Sequence, residues 1–190
     1  MPDAMIDLAR RGPLDGRTLP DEAKFSLRPS PDTARFSLRG DAEVVARAGA
    51  AFGVVLPDRL GAAGRAGHRA ALWLGPDEWL LLAEGEAAGT LGAALEAALA
   101  ALPHSLVDIS DRQIGIEVTG SLAARALSAG CPLDLSESAF PVGMATRTLL
   151  AKAEMVLWRR TRGFHVEVWR SFADYAASVL IEAARRAPQP

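Results

Sequence analysis

Short stretches in which apolar and polar residues alternate recur along the chain, a pattern typical of strands that bury one face. Residues 25–28 and 36–39 are the first two stretches, and the Pro-Ser-Pro-Asp segment between them predicts a turn that joins two strands. Gly75-Pro76-Asp77 predicts another tight turn. Further strands are predicted at residues 70–74, 78–83, 105–109, 113–118, 146–151, 155–159 and 164–169.

Apolar residues recur with the helical period in four other stretches. The second strand ends at Gly40, and the helix that follows is capped by Asp41. A third helix follows Gly120-Ser121 and stops at Gly130. The second and fourth helices are predicted to begin at Thr90 and Ser171, with Asp174 completing a capping box in the fourth.

The second half of the chain repeats the order of the first. The offset in residue number is 80 between Gly40-Asp41 and Gly120-Ser121, and it is 81 between Thr90 and Ser171. Two unrelated helices can also be aligned, because they share the helical period. Two helices that occur in the same order in both halves, at nearly the same offset in residue number, are better evidence and favour a true duplication. The predicted fold class is therefore α+β, with internally duplicated strand-helix-strands-helix halves whose antiparallel sheets are covered by helices.

The N-terminal segment differs from the rest in composition. Residues 1–32 hold five of the twelve prolines and show little periodicity. They predict an extended N-terminal arm at residues 1–22, either mobile or seeking a partner, that adds little buried surface to the fold. The remaining domain, residues 23–190, divides into pseudo-repeats at about 23–104 and 105–186.

Composition places the chain among ordinary globular proteins. Its 190 residues are 49% hydrophobic and 23% charged, enough for a core without disulfides or metals. A net charge of −2 does not favour a nucleic-acid partner, and a single cysteine excludes an internal disulfide. No apolar run reaches the roughly 18 residues of a membrane span, and charged residues occupy the place of a signal peptide. We therefore expect no membrane partner and a cytoplasmic location.

Candidate catalytic groups are scattered. The three histidines are separate in sequence, and for each a surface or strand role is favoured over metal binding. Asp108 and Asp111 occupy a turn where such side chains normally bond to the backbone. Cys131 is interpreted as a small buried hydrophobe. The three histidines are His68, His104 and His165. Two further candidate groups are the cluster of Arg159, Arg160 and Arg162 and the glycines of residues 59–67.

These last two groups also have ordinary explanations. The arginine cluster could bind an anion, but a solvated turn or a rim contact with an acidic partner is the preferred interpretation. Residues 59–67 match no phosphate-binding motif, so they are interpreted as a poorly ordered segment. We therefore expect no catalytic, cofactor-binding or metal-binding residue on this chain. Four tryptophans against one tyrosine fit core packing for most, with at least one expected at a protein interface.

Four longer strings are more specific than any single residue. In chain order they are residues 74–81 (LGPDEWLL), 107–113 (VDISDRQ) running into Val118-Thr119-Gly120, 131–135 (CPLDL) followed by residues 140–143 (FPVG), and 166–175 (VEVWRSFADY). Together they resemble the gamma subunit of heterotetrameric sarcosine oxidase, over about residues 25–184. That family looks like a relative of the folate-binding domains of aminomethyltransferases.

The resemblance implies a non-catalytic structural subunit, with alpha, beta and delta subunits as partners. The implied assembly demethylates N-methylglycine to glycine, produces peroxide and transfers the one-carbon unit to tetrahydrofolate. Its FAD, FMN, NAD, folate and zinc are expected on the partner subunits. Complexes that act on other N-methyl amino acids remain open, because the substrate would touch another subunit.

The alternative is a folate-dependent one-carbon transfer enzyme or folate-binding protein of the aminomethyltransferase type. Two motifs of such relatives are missing here, which weakens this alternative. One is the lysine-glycine-cysteine-tyrosine string of the related iron–sulfur maintenance proteins, and the other is the glycine-glutamate pair that aminomethyltransferases carry near the position of residues 165–169.

Overall fold

The computed structural model describes residues 11–187. Its elements follow the predicted order of strands and helices. The first half contains β1 (Ser26–Pro29), β2 (Thr33–Arg39), α1 (Ala42–Phe52), β3 (Ala63–Ala66), β4 (Arg69–Gly75), β5 (Glu78–Glu84) and α2 (Ala88–Leu99). The second half contains β6 (Ser105–Asp108), β7 (Gln113–Thr119), α3 (Ala123–Ser128), β8 (Ala145–Leu150), β9 (Ala153–Arg160), β10 (Gly163–Trp169), a 3-10 turn (Arg170–Phe172) and α4 (Ala173–Arg186).

The strands form two antiparallel five-stranded sheets of matching order. Sheet I runs β6-β2-β5-β4-β3 and sheet II runs β1-β7-β10-β9-β8. Each strand of sheet I has its counterpart at the same place in sheet II, which confirms the predicted α+β fold with duplicated halves. The boundaries given for the arm and the pseudo-repeats stay predictions.

The two halves exchange their first strands. The hairpin expected for residues 25–39 is wrong, because β1 pairs with β7 in sheet II whereas β2 pairs with β5 and β6 in sheet I. Two prolines in the connecting segment lack an N–H for a tight hairpin, and the Ser30 amide instead donates to the Gly115 carbonyl oxygen. β6 likewise leaves the second half to pair with β2. Each sheet therefore contains one strand from the other half.

The sheets stack face to face between two pairs of helices. Helices α1 and α2 pack their apolar sides on sheet I around Phe36 and Leu81. Helices α3 and α4 cover sheet II around Ile116 and Val166. A third apolar cluster between the sheets includes Leu72, Leu82 and Trp158. Strand β5 is buried on both faces, so the space between the sheets is interior and not solvent.

The offset in residue number between equivalent elements is not constant. β2 begins at Thr33 and β7 at Gln113, an offset of 80, whereas β5 begins at Glu78 and β10 at Gly163, an offset of 85. Helix α2 begins at Ala88 and α4 at Ala173, again an offset of 85, so the offset of 81 predicted for this pair is wrong. The segment that precedes β8 in the second half is longer than the segment that precedes β3 in the first half.

The predicted helix caps are partly correct. Asp41 accepts hydrogen bonds from the Glu43 and Val44 amides, as predicted. Thr90 and Ser171 do not cap helices: α2 starts at Ala88, and neither α2 nor α4 has a side-chain cap. Asp174 is instead bound by Arg17, so the capping box is also wrong.

The glycine-containing segment at residues 59–67 is ordered, contrary to expectation. Residues Ala63–Ala66 form β3, which pairs with β4. A Cβ on Gly64 would lie 2.2 Å from the Val55 carbonyl oxygen, so the strand passes too close to the preceding loop for a side chain. The glycines therefore permit backbone packing.

The N-terminal arm contributes more packing than predicted. Residues 1–10 of the arm lie outside the described residues. Leu14 is 3% exposed and belongs to the core beneath α3 and α4. Arg17 donates hydrogen bonds to Asp174 and to Ser178 on α4. The expectation that the arm adds little burial is wrong for this part, because its apolar residues complete the sheet II core.

Gly163 offers a test of close backbone contact between β10 and β7. Its φ is +125°, and an added Cβ would lie 2.3 Å from the Val118 carbonyl oxygen. We expect Gly163→Ala to destabilise the chain by about 2 kcal/mol, from strain plus this clash. Gly67→Ala is the matched control, because Gly67 has a φ of +59° and nothing within 4 Å; it should cost about 1 kcal/mol. Urea denaturation measures both, and equal losses would contradict the expected clash.

Candidate functional site

Strands β7 and β10 present a polar face to sheet I. Phe164, Val166 and Val168 of β10 point into the helix-covered core, so His165 and Glu167 point between the sheets. His165 pairs across the strands with Glu117 of β7, and Glu167 pairs with Gly115. The glycine is needed here, because a Cβ on it would lie 2.7 Å from the His165 imidazole.

These side chains form a buried ion network with arginines from both sheets. His165 contacts Glu117 through Nδ1 at 2.7 Å and Glu167 through Nε2 at 2.8 Å. Arg35 of β2 donates from Nε to the second Glu167 oxygen at 2.7 Å, which joins sheet I to sheet II. Arg160 of β9 donates to Glu117 at 3.0 Å. We call Arg35, Glu117, Arg160, His165 and Glu167 the inter-sheet charge cluster.

The cluster holds His165 in its charged form. Burial opposes the imidazolium, but hydrogen bonds to Glu117 and then Glu167, with the charges of both, outweigh it and raise the pKa of His165 to about 9. Burial likewise opposes ionisation of Glu167, but Arg35 and then His165 keep its pKa below the usual value. At neutral pH both imidazole nitrogens therefore carry a proton and donate hydrogen bonds to carboxylates.

This arrangement is suited to cross-linking the sheets. Both nitrogens of His165 are engaged, so neither has a lone pair available for base catalysis. The adjacent cavity, lined by Trp158, Arg160 and His165 among others, measures about 10 Å³ and has room for one water molecule at most. Glu167 is fully buried behind Arg35. The cluster thus offers paired charges rather than a substrate-sized space.

A second group of ion pairs joins sheet I to sheet II, at Glu78 of β5. Glu78 of β5 accepts from Arg147 of β8 at 2.6 Å and from Arg39 of β2 at 2.9 Å. The hydrogen bond from Arg147 lowers the pKa of Glu78 despite its partial burial. Ion pairs therefore connect the two sheets on two sides of the apolar cluster that lies between them.

The histidines singled out in the sequence have different environments. His68 lies in the β3–β4 turn and contacts Glu86 at 2.9 Å. His104 precedes β6, where it contacts the Leu102 carbonyl oxygen and Glu96. His165 is a strand residue as predicted, but it lies within an ion network that the sequence did not indicate. His68 and His165 line the same small cavity.

The other candidates agree better with their ordinary interpretations. Cys131 is buried in the sheet II core, 3.9 Å from the Thr148 hydroxyl. Asp108 accepts hydrogen bonds from the Ser110 amide and hydroxyl, which is the predicted turn contact, and Asp111 lies in the same turn. Among the described residues, no group of three or more histidine, cysteine or acidic side chains could hold a metal.

The three arginines of the predicted cluster lie in different environments. Arg159 donates to the Leu135 and Phe140 carbonyl oxygens and stacks on Phe164, so it anchors a loop. Arg160 belongs to the inter-sheet charge cluster. The interpretation as a solvated turn or rim contact is wrong for both, because their side chains lie mostly inside the fold. It agrees with the structure for Arg162, which is exposed in the turn between β9 and β10.

Sequence reasoning missed Arg35, Glu117 and Glu167. Each alternates with apolar neighbours, which is also the pattern of a strand that faces solvent on one side. The one available signal was β5, whose continuous apolar run indicates a strand buried on both faces. Within the described part of the chain, no helix is both long and apolar enough to span a membrane.

Comparisons with known proteins agree with this architecture. The profile of the sarcosine oxidase gamma subunit family matches residues 39–186. Sarcosine oxidase subunit gamma of an Arthrobacter species is 37% identical over 143 residues, covering 74% of this chain and 70% of that protein. A Corynebacterium (strain P-1) subunit gamma is 37% identical over 135 residues, covering 70% of this chain and 66% of that protein.

Solved structures show the same similarity. A chain of heterotetrameric sarcosine oxidase from Corynebacterium sp. U-96, solved with pyrrole 2-carboxylate, is 30% identical with a TM-score of 0.84, covering 95% of this chain and 98% of that one. Glycine cleavage system aminomethyltransferase T from Bartonella henselae is 14% identical with a TM-score of 0.65, covering 86% of this chain and 50% of that one. The second likeness shows a common fold alone.

Proposed function

The chain belongs to the sarcosine oxidase gamma subunit family, and from this membership we propose that it is a non-catalytic assembly subunit of a heterotetrameric sarcosine oxidase. The complex would demethylate N-methylglycine to glycine in the cytoplasm, produce peroxide and pass the one-carbon unit to tetrahydrofolate. The partners would be alpha, beta and delta subunits, which would carry the flavins and the other cofactors.

The observation that carries this proposal is the match to a chain of the Corynebacterium heterotetramer along almost the full length of both. The inter-sheet charge cluster agrees with a non-catalytic role, because its histidine is bonded through both nitrogens. Its neighbouring cavity of about 10 Å³ is far smaller than the usual ~300–1,000 Å³ of ligand pockets. A rigid two-sheet body of this kind can support partner surfaces.

The alternative of a folate-dependent one-carbon transfer enzyme has only the aminomethyltransferase fold in its favour. A likeness of fold does not carry the activity with it, because function depends on the site. We therefore retain the assembly subunit as the proposal.

Co-expression with the other subunits tests the proposal. The affinity-tagged chain should recover the three partners in equal amounts, in a complex that oxidises N-methylglycine and releases peroxide. Leaving this chain out should sharply reduce the yield of assembled complex, because the partners would lose an interface. Full assembly and activity without it would contradict the proposal.

The chain alone provides the second half of the test. Purified by itself, it should be colourless and should not bind tetrahydrofolate measurably in a calorimetric titration. Micromolar folate binding by the isolated chain would favour the alternative enzyme.

A further inference from the structure

Trp158 places an indole N–H group between the two sheets. The residue is 7% exposed, and its indole nitrogen has no hydrogen-bond partner in residues 11–187. Trp79 is also buried, but its indole N–H donates to the Pro57 carbonyl oxygen at 2.7 Å. Buried donors in native proteins nearly always have an acceptor, which is a protein atom or an ordered water molecule. The Trp158 N–H therefore requires an acceptor that the protein atoms of residues 11–187 do not supply.

A small cavity adjoins the Trp158 side chain. It measures about 10 Å³ and is lined by Trp158 together with Thr33, Glu84 and Arg160, among others. About 10–15 Å³ of such space is enough for one water molecule. The indole nitrogen is closed off from the protein surface, so no side chain of another protein can reach it. Its acceptor is therefore a molecule small enough to be enclosed within the fold.

The alternation of the strands brings polar groups of both sheets to this cavity. Thr33 of β2 and Glu84 of β5 are cross-strand partners, and Thr33 lies two residues before Arg35, so both face sheet II. Trp158 of β9 is the cross-strand partner of His165, so it faces sheet I. The cavity is therefore bounded by polar side chains from each sheet.

These polar groups complement the indole N–H. The Thr33 hydroxyl donates its proton to the Pro31 carbonyl oxygen at 2.7 Å, so its oxygen can still accept a hydrogen bond. The Glu84 carboxylate is an acceptor as well, and it lies 3.8 Å from the Arg160 guanidinium. That guanidinium lies 5.1 Å from the centre of the Trp158 ring. One donor and two acceptors therefore meet at the cavity, and buried water molecules typically make about three hydrogen bonds.

We propose that this cavity is a binding site for one water molecule, which accepts a hydrogen bond from Trp158 and donates to Thr33 and Glu84. A cation would be repelled there by Arg160 and an anion by Glu84, so a neutral molecule that both donates and accepts fits the site. The water joins sheet II to sheet I beside the inter-sheet charge cluster. This inference does not depend on the proposed function, because the site lies within the chain itself.

Transfer of magnetisation from water to the indole protons of the isotope-labelled, full-length chain tests the site. The Trp158 indole proton should show a cross-peak at the water frequency, with opposite signs in NOESY and ROESY spectra, as a long-lived bound water gives. Trp79 is the internal control, because its N–H is already bonded to Pro57, and it should show no such cross-peak. Trp158→Phe and Trp79→Phe assign the two signals. Absence of the cross-peak at Trp158, or cross-peaks of equal intensity at both residues, would overturn the proposal.

Two alanine variants show whether the cavity is the source of the cross-peak. Ala70 lines the cavity, so Ala70→Val should fill it and abolish the cross-peak while the Trp158 indole signal persists. Ala145→Val is the matched control, because Ala145 belongs to the same apolar cluster between the sheets but does not line the cavity; it should keep the cross-peak. A cross-peak that survives Ala70→Val at full intensity would come from another proton and would contradict the water site.

A crystal structure of the wild-type chain gives a readout that needs no variant. One water oxygen should lie within about 3.2 Å of the Trp158 indole nitrogen and at hydrogen-bond distance from Thr33 or Glu84. A cavity without electron density, or an indole N–H that donates to a protein oxygen, would overturn the site. Neither result bears on the proposed function, which the co-expression experiment tests separately.

Discussion

Replacing Arg35 by methionine is expected to destabilise the chain by about 3–5 kcal/mol at neutral pH, because it removes one partner of a buried ion pair. The Arg35 and Glu167 side chains are 5% and 0% exposed. Without the guanidinium, Glu167 would keep only its contact with His165, which is also bonded to Glu117. The Thr33 carbonyl oxygen would also lose the donor it has in Arg35. Urea denaturation of the full-length chain measures the loss.

Two further variants show whether burial is the cause. Arg47→Met removes the cation of an exposed pair with Glu43 on α1, and it should cost no more than about 0.5 kcal/mol. The double variant Arg35→Met with Glu167→Met should recover much of the loss, because no buried carboxylate is then left without Arg35. A loss below about 1 kcal/mol for Arg35→Met would mean that water reaches Glu167.

The sequence predicted most strands and helices because each buries one face against a core. The same periodicity concealed the true offset of the last helix. The predicted offset of 81 and the observed offset of 85 differ by close to one helical turn, which is about 3.6 residues. Leu95 of α2 therefore finds a small or apolar residue at either offset, Ala176 or Leu180. The correct offset follows only from β5 and β10, the equivalent strands that precede the two helices.

The strand pairing and the inter-sheet charge cluster could not be predicted from the hydrophobic periodicity. The alternation of β1 is identical whether it pairs with β2 in a hairpin or with β7 in the other sheet. Likewise, Glu117 and His165 alternate with apolar residues just as solvent-facing residues do. Whether that polar face meets water depends on a second sheet that packs on it. Such a contact joins residues far apart in the chain, as Arg35 and Glu167 show.

The stability of the chain is expected to fall as pH rises from about 6.5 to above 9, by about 3 kcal/mol from His165 alone. Folding raises the pKa of this imidazole from 6.5 to about 9, and each unit of difference corresponds to about 1.4 kcal/mol. The folded state binds the proton more tightly than the unfolded state does. The contribution is therefore complete below pH 6.5 and is lost as pH passes through 9.

The expected physical cause is the loss of the imidazolium between two carboxylates. Once His165 is neutral, one of its nitrogens lacks a proton, so only Glu117 or Glu167 can receive a hydrogen bond from it. Arg35 still donates to Glu167 and Arg160 still donates to Glu117, so part of the ion network remains. We therefore expect the fold to lose stability without unfolding outright at pH 9.

Urea denaturation at pH 6, 7.5 and 9.5 measures the effect, and two histidine variants identify its source. His165→Gln should be less stable at pH 6 and should have a much flatter profile, because the titrating group is gone. His104→Gln should keep most of the wild-type slope, because the pKa of His104 is raised mainly by one hydrogen bond to the Leu102 carbonyl oxygen, whereas the His165 imidazolium lies between two carboxylates. If the wild type and His165→Gln lost stability in parallel above pH 7, His165 would not be the charged centre between the sheets.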